Sequence, residues 1–309
     1  MNLAPIALFV YARPDHARLT IEALQKNVLA AESDLFIFSD AARKPELAEA
    51  VESVRTYIKS VSGFKAITIV EREHNWGLAN SIIDGVSRLC DEYGRVIVVE
   101  DDIVTTPNFL TFMNEALDLY VNDEKVMHIS GYIFPIKPTK HIPETFFYRA
   151  TSCWGWATWQ RAWQQFRPDA DQLLEAIETK NLCRQFDIDD TRPYTEMLRQ
   201  QAAGKLDSWA VRWYASVFLA NGMCLHPRNS LVENIGHDGS GSHCDISDTY
   251  SVSRQDAPVK ISRISPAEEN KDALQAIRKF NLSLMPSTSQ RLRAGVTRRL
   301  RNLKALLGY

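Results

Sequence analysis

The chain has 309 residues, 24% of them charged, and a formal net charge of −2. That length buries a sizeable core, and the near-neutral balance gives no global field for nucleic acid. The five cysteines are odd in number and lack finger spacing, which excludes a complete disulfide framework and reads as a reducing, cytosolic setting.

The apolar stretch 3–12 has no basic residue inside its start and contains Pro5 and Tyr11, so it does not read as a signal peptide. Nor does any uncharged apolar run approach the roughly 20 residues of a membrane span. Residues 5–11 read instead as a buried strand. A helix opens near Pro14, with Ala17, Ile21, Leu24 and Val28 on one face. Residues 34–39 form a second strand, followed by a helix whose apolar face is Leu47, Val51, Val54, Ile58 and Val61. Residues 65–70 make a third strand, and the helix after it carries Leu78, Ile82, Val86 and Leu89. The fourth strand, 95–99, runs straight into Glu100, Asp101 and Asp102. Continuous apolar strands separated by amphipathic helices predict a parallel α/β sheet covered on both faces.

Thr106 as N-cap and Pro107 at the first helical position predict a helix to about Val121. Strand candidates at 125–130 and 146–150 then flank a proline-rich loop, and the aromatic stretch CWGWATW follows at 153–159. Helical patterns return at 171–186, 194–203 and 208–221, the last closed by Gly222. The polar loop 236–243 and a linker near 286–289 precede a basic tail. The organisation is one domain in two halves, 1–130 and 131–285, with a tail at 286–309.

In such sheets ligands bind beyond the carboxyl ends of the strands. That edge would hold Arg13, Asp40, the turn with Asn75 and Trp76, and the three acids. Strand-end carboxylates are costly unless compensated, and hard divalent cations use one or two of them together with phosphate oxygens. The alternative is an acidic strand end with no ligand. On their residue types alone, Arg13 reads as a surface arginine at a helix start and Asp40 as a cap. Trp154 and Trp156 suit stacking on a pyranose, with Gly155 between them admitting a close backbone approach, or they are core. His237 and His243 sit in a Gly- and Ser-rich loop suited to a lid over phosphate.

The stretch 74–109, HNWGLANSIIDGVSRLCDEYGRVIVVEDDIVTTPNF, resembles the core of the N-acetylglucosaminyltransferase I family and its bacterial sugar-transferase relatives. The similarity continues through CWGWATW, LDSWAVRWYASVFLANGMCLHP and NSLVENIGHDGSGSHC. The resemblance implies a GT-A, Rossmann-like fold, a nucleotide-diphospho-sugar donor, usually UDP-linked, a Mn2+ (or Mg2+) cofactor, and inversion at the anomeric carbon. It assigns Asp102 as the metal ligand, and Glu100 and Asp101 to ribose or sugar hydroxyls. Arg13 goes to the donor's phosphate or nucleoside, and Asp40 to a hydrogen bond from the base. Asn75, Trp76, Trp154, Gly155, Trp156 and His243 complete the donor-binding set.

An inverting transfer needs a base for the acceptor hydroxyl's proton. In the family that carboxylate comes from the segment matching 206–209, where Asp207 is the only acid. Its alternative is a helix N-cap. The family also implies a glycan or lipid-linked acceptor. From 291 to 304 the tail has six basic residues and no acidic one, with leucines at helical spacing. This is a basic amphipathic helix suited to an anionic membrane surface, which would place a cytoplasmic enzyme on the inner face of the membrane; the alternative is a solvated helix or an oligomer contact. Two other functions compete. A sugar-1-phosphate nucleotidyltransferase would carry glycines where residues 11–15 read YARPD. A non-catalytic carbohydrate-binding protein would leave the strand-end acids without a purpose.

Overall fold

The computed structural model of the chain describes residues 3–137, 141–239 and 247–285. Four strands come first: β1 (Ile6–Val10), β2 (Asp34–Ser39), β3 (Ala66–Glu71) and β4 (Arg95–Glu100). Between them lie α1 (Pro14–Gln25), α2 (Ala48–Ile58) and α3 (Leu78–Tyr93). Next come β5 (Ile103–Thr105), α4 (Phe109–Leu119), β6 (Val126–Ser130), β7 (Thr145–Tyr148) and β8 (Trp156–Trp159). The helices α5 (Gln160–Trp163), α6 (Ala170–Thr179), α7 (Cys183–Phe186), α8 (Tyr194–Ala202) and α9 (Trp209–Leu219) follow. The chain then forms β9 (Met223–Pro227), β10 (Val232–Asn234) and α10 (Lys271–Leu284).

Eight strands form one sheet in the order β3-β2-β1-β4-β8-β6-β9-β7. Only β7 and β8 run against the rest. The fold is therefore α/β, a large and mostly parallel sheet flanked by helices, as the alternating pattern predicts. Every residue of β1 is buried, as are Val96, Ile97, Val98 and Val99 of β4, which is why these strands read as continuous apolar runs. A second buried cluster joins α6, α8, α9 and α10 through Leu173, Ile177, Leu198, Val211 and Ile277.

Three differences from the sequence reading have local causes. The helix expected from Thr106 begins at Phe109, because Thr106 N–H donates to the Leu231 carbonyl (2.9 Å) and the Pro107 carbonyl accepts from Val28 (3.0 Å). The pattern at 171–186 breaks into α6 and α7 at Asn181, which has a φ of +55°. The short antiparallel pair β5–β10, with Asn234 opposite Ile103, was not expected at all. It matters most for function, since it carries the chain after β10 back to the end of β4. Among the described residues no helix is long and apolar enough to cross a membrane. The basic tail at 286–309 and His243 lie outside the described residues.

Candidate active site

The acids follow the fourth strand where topology puts a ligand edge, with Glu100 ending β4 and Asp101 and Asp102 turning away into β5. Asp101 and Asp102 are buried, and Thr20 of α1 donates its hydroxyl to the Asp101 carbonyl at 2.8 Å. Arg13, directly after β1, forms an ion pair with both aspartates. Its Nη2 donates to Asp101 Oδ1 and to Asp102 Oδ2 (2.9 Å), and its Nε lies 3.4 Å from Asp101 Oδ2. Burial works against the guanidinium's charge, yet Asp101 and Asp102 outweigh it and raise the Arg13 pKa.

Arg13 and Asp101 engage each other before any ligand. Arg13 faces both acids, and its assignment to the donor's phosphate or nucleoside is a proposal. Asp101, with both oxygens on Arg13, anchors that arginine and has little left to offer a sugar hydroxyl.

Three carboxylates against one guanidinium leave the cluster with excess negative charge. Burial first, then repulsion from Asp102 and Asp101, hold the Glu100 carboxyl well above its ordinary pKa, while Arg13 opposes the shift. Burial likewise raises Asp101, with Arg13 pulling it back. A cation would relieve this crowding. Among the described residues no three His, Cys, Asp or Glu side chains form a ready-made metal cage. A divalent cation nevertheless fits the donor set. Such ions are often held by one or two carboxylates with phosphates completing the shell, and Asp102 commits only its Oδ2 to Arg13 among the described residues.

The segment after β10 passes over this cluster. Ile235 N–H donates to the Asp102 carbonyl at 2.9 Å. A Cβ at Gly236 would collide with Asp102 Oδ2 and lie 2.9 Å from Arg13 Nη1, so any side chain here would have to push that ion pair aside. His16 in the first turn of α1 lies 3.3 Å from the Ile235 carbonyl and 3.2 Å from the Asp238 carboxylate. The His237 ring meets Trp154 edge to face at 5.4 Å, and its Nε2 is buried with no partner among the described residues. Sequence reasoning missed His16, Gly236 and Asp238. The signal was the GHDG run itself, whose first glycine marks close approach rather than looseness. Gly236→Ala should displace the Arg13–Asp102 pair or lift the segment. It is expected to cost about 1–3 kcal/mol by denaturant titration and to weaken nucleotide binding in the same preparation.

Asp40 follows β2 and is held from four sides. Its Oδ1 accepts from the Ala41 and Trp76 N–H groups at 2.9 Å each, and its Oδ2 from Gly77 N–H (2.8 Å) and Asn75 Nδ2 (3.1 Å). Those bonds use the carboxylate's four acceptor positions. Asp40 thus ties the 75–77 turn to the sheet, and a hydrogen bond from a nucleotide base would have to compete with these four. Asn75 also donates to the Ala41 carbonyl at 2.7 Å, so its amide serves the same turn. Gly77, at a φ of +75°, turns the chain into α3. The Trp76 ring lies under the Arg72 guanidinium at 3.8 Å and lines a groove of about 590 Å³ with His74, Asn80, Ile83 and Asp84.

The aromatic stretch divides. Trp156 is fully buried in β8, stacked on His128 and Trp209 at 5.2 Å each, and cannot touch a sugar. Gly155 has a φ of +61°, and a Cβ there would meet Val232 at 2.9 Å and Phe109 at 3.1 Å, so it packs against the core rather than a ligand. Both assignments to the donor are corrected. Trp154 is the half-buried member, against Tyr132 (4.4 Å), His237 and Tyr250 (6.0 Å).

Asp207 is exposed and pairs with Arg212 at 3.3 Å. Ser208, not Asp207, caps α9, accepting from Val211 N–H. No contact links Asp207 to the acids among the described residues. The link runs through Trp209 stacked on Trp156, whose partner across the sheet is Val98, two residues before Glu100.

No protein-family model matches the chain, and no curated protein matches it. Solved structures do. A mannosyltransferase from Pyrobaculum calidifontis, in complex with GDP-Man and Mn2+, aligns over 71% of this chain and 77% of its own at 12% identity, with a TM-score of 0.36. Residues 1–349 of TarS from S. aureus align over 74% of this chain and 59% of that one at 10% identity and a TM-score of 0.39. Mouse xyloside xylosyltransferase 1, in its apo form, aligns over 70% and 81% at 10% identity and a TM-score of 0.37. At these identities and TM-scores, the likenesses decide neither family nor chemistry, and the similarity to the N-acetylglucosaminyltransferase I family stays a resemblance of motifs.

Proposed function

We propose that this chain is a glycosyltransferase moving a sugar from a nucleotide-diphospho-sugar, UDP-linked, to a hydroxyl of a glycan or lipid-linked acceptor. The observation that carries this reading is the convergence of three carboxylates at the carboxyl end of β4, with more negative charge than Arg13 offsets. That edge is where α/β sheets take ligands. The cluster suits a divalent cation, Mn2+ or Mg2+, gripped together with the donor's diphosphate. Asp102 and Glu100 would hold it, and the ion when bound would neutralise charge building on the leaving diphosphate. Arg13 keeps Asp101 engaged and the cluster compact. The segment 235–239 covers the diphosphate, with His237 as its polar contact, and Trp154 offers the donor sugar its ring.

In the transfer, Asp207 accepts the proton of the acceptor hydroxyl. That oxygen bonds to the anomeric carbon while the carbon's bond to the diphosphate oxygen breaks, and the diphosphate leaves with the electron pair. Attack from the face opposite the leaving group inverts the centre. Arg212 orients Asp207 through their ion pair. The basic tail would hold a cytoplasmic enzyme at an anionic membrane face, near a lipid-linked acceptor.

The test is a panel of UDP-sugars incubated with and without Mn2+. Release of UDP only with the metal is expected. Pyrophosphate as product would point to nucleotidyl transfer instead, and a chain that neither binds UDP nor consumes any donor would defeat the reading. Asp207→Asn should retain UDP affinity and lower turnover by about 10²–10⁴-fold. Unchanged turnover would remove Asp207 from the base role.

A further inference from the structure

A second groove, of about 560 Å³, opens beside the candidate active site between the segment 187–193 and the C-terminal end of α10. Asp187, Thr191, Arg192, Tyr250 and Asn281 line it. Arg192 sits among three aromatic rings, 5.6 Å from Phe134, 5.7 Å from Tyr194 and 5.8 Å from Tyr250, and donates to the Tyr250 hydroxyl at 3.1 Å. It forms no ion pair among the described residues, and its Nε is buried without a hydrogen-bond partner. Asn281 is 2% exposed; its Nδ2 donates to the Thr191 hydroxyl at 3.1 Å, and its Oδ1 has no partner. A half-buried cation without a carboxylate and a buried acceptor without a donor are both costly, and a ligand supplying an anion and a hydroxyl would satisfy them together.

The other charges around the groove are already engaged. Asp187 Oδ1 accepts from Thr195 N–H and hydroxyl, Asp190 pairs with Arg184, and Arg199 pairs with Glu178 and Glu196. The wall itself is strained. Ile188, Asp189 and Asp190 hold successive φ values of +52°, +53° and +62°, a left-handed run that side-chain-bearing residues rarely adopt and that costs about 1–2 kcal/mol per residue. Strain of this kind collects at ligand clamps.

Tyr250 joins this groove to the acids. Its ring lies 5.7 Å from His237 and 6.0 Å from Trp154, and His237 follows Gly236 at Asp102.

We infer that this groove is a subsite for an acidic saccharide unit of the acceptor, its carboxylate on Arg192 and a ring hydroxyl on Asn281. The inference rests on the glycosyl-transfer reading for the word acceptor, not for the binding itself. The probe is free glucuronate, with glucose and inorganic phosphate as controls, followed by saturation-transfer NMR on the full chain. Glucuronate should bind in the millimolar range and more tightly than either control. Arg192→Met should weaken it at least about tenfold, Arg192→Lys should restore part of the loss, and Asn281→Leu should weaken it independently. UDP binding, titrated in the same variants, should not change. Equal binding of glucose, equal binding of phosphate, or displacement of glucuronate by UDP would each overturn the subsite, as would wild-type affinity in both Arg192→Met and Asn281→Leu. Glucuronate binding in a chain that never binds UDP would sink the donor reading and leave the subsite standing.

Discussion

Asp102→Ala is expected to lower the proposed metal-dependent UDP release by at least about 10²–10³-fold while leaving the fold as stable as the parent or more so. The two halves of that expectation come from the same geometry. Arg13 holds Asp101 through two nitrogens and touches Asp102 with only one of them, so the arginine keeps a partner when Asp102 is gone. Glu100 meanwhile loses the neighbour that repels it most. Removing a buried member of an ion pair usually destabilises by about 3–5 kcal/mol, because it strands the other charge. Here Arg13 keeps Asp101, so removing Asp102 strands no charge and lessens the excess of negative charge. Activity and thermal midpoint, measured on the same preparation with and without Mn2+, separate the cases. In the parent the metal should raise the midpoint, and in Asp102→Ala it should not. An inactive variant that melts far below the parent would make Asp102 a structural residue and remove the argument for a cation site.

The same pairing bears on whether Arg13 stands in for a cation. A guanidinium already on both aspartates could compensate them without any metal. Burial and the neighbouring acids hold the Glu100 carboxyl above its ordinary pKa even with Arg13 in place. Either a proton or a cation relieves that crowding, so the metal dependence of turnover decides between the two. Mn2+-independent turnover would restore the metal-free reading.

How much of this was legible in the sequence depended on range. The strands at 5–11, 34–39, 65–70 and 95–99 coincide with β1 to β4 within a residue or so, because strands buried on both faces leave unbroken apolar runs. The position of Glu100, Asp101 and Asp102 at a ligand edge followed from that order alone. Partners did not follow. Arg13 and Asp101 are 88 positions apart, and Asp40 and Gly77 are 37 apart, so nothing local says that one acid holds an arginine and the other a turn. Strand β8 was hidden by its composition: in WATW the large aromatics suggested a sugar platform, and burial of all four residues leaves no alternation to read. Helix α10 went unread as well, since its buried stripe includes Asn281 beside Ala273 and Ile277.

Trp156→Ala should have the largest effect on stability of any single change in the aromatic stretch. The indole is fully buried and packs on His128, Trp209, Trp163 and Trp213, with ring centroids at 5.2, 5.2, 6.0 and 6.4 Å. Truncation leaves a cavity walled by rings that cannot collapse without losing their own contacts, so about 3–5 kcal/mol is expected. Function should suffer through position rather than contact, because Trp209 opens the helix that follows Asp207 and loses its stacking partner. Trp154→Ala makes the opposite split. Its ring is half-buried among Tyr132, His237 and Tyr250, so stability should fall by less while donor affinity falls by more. Denaturant titration and UDP-sugar binding on both variants test the division. If Trp156→Ala unfolds within 1 kcal/mol of the parent, or if Trp154→Ala binds donor normally, then the assignment of Trp156 to the core and Trp154 to the ligand edge fails.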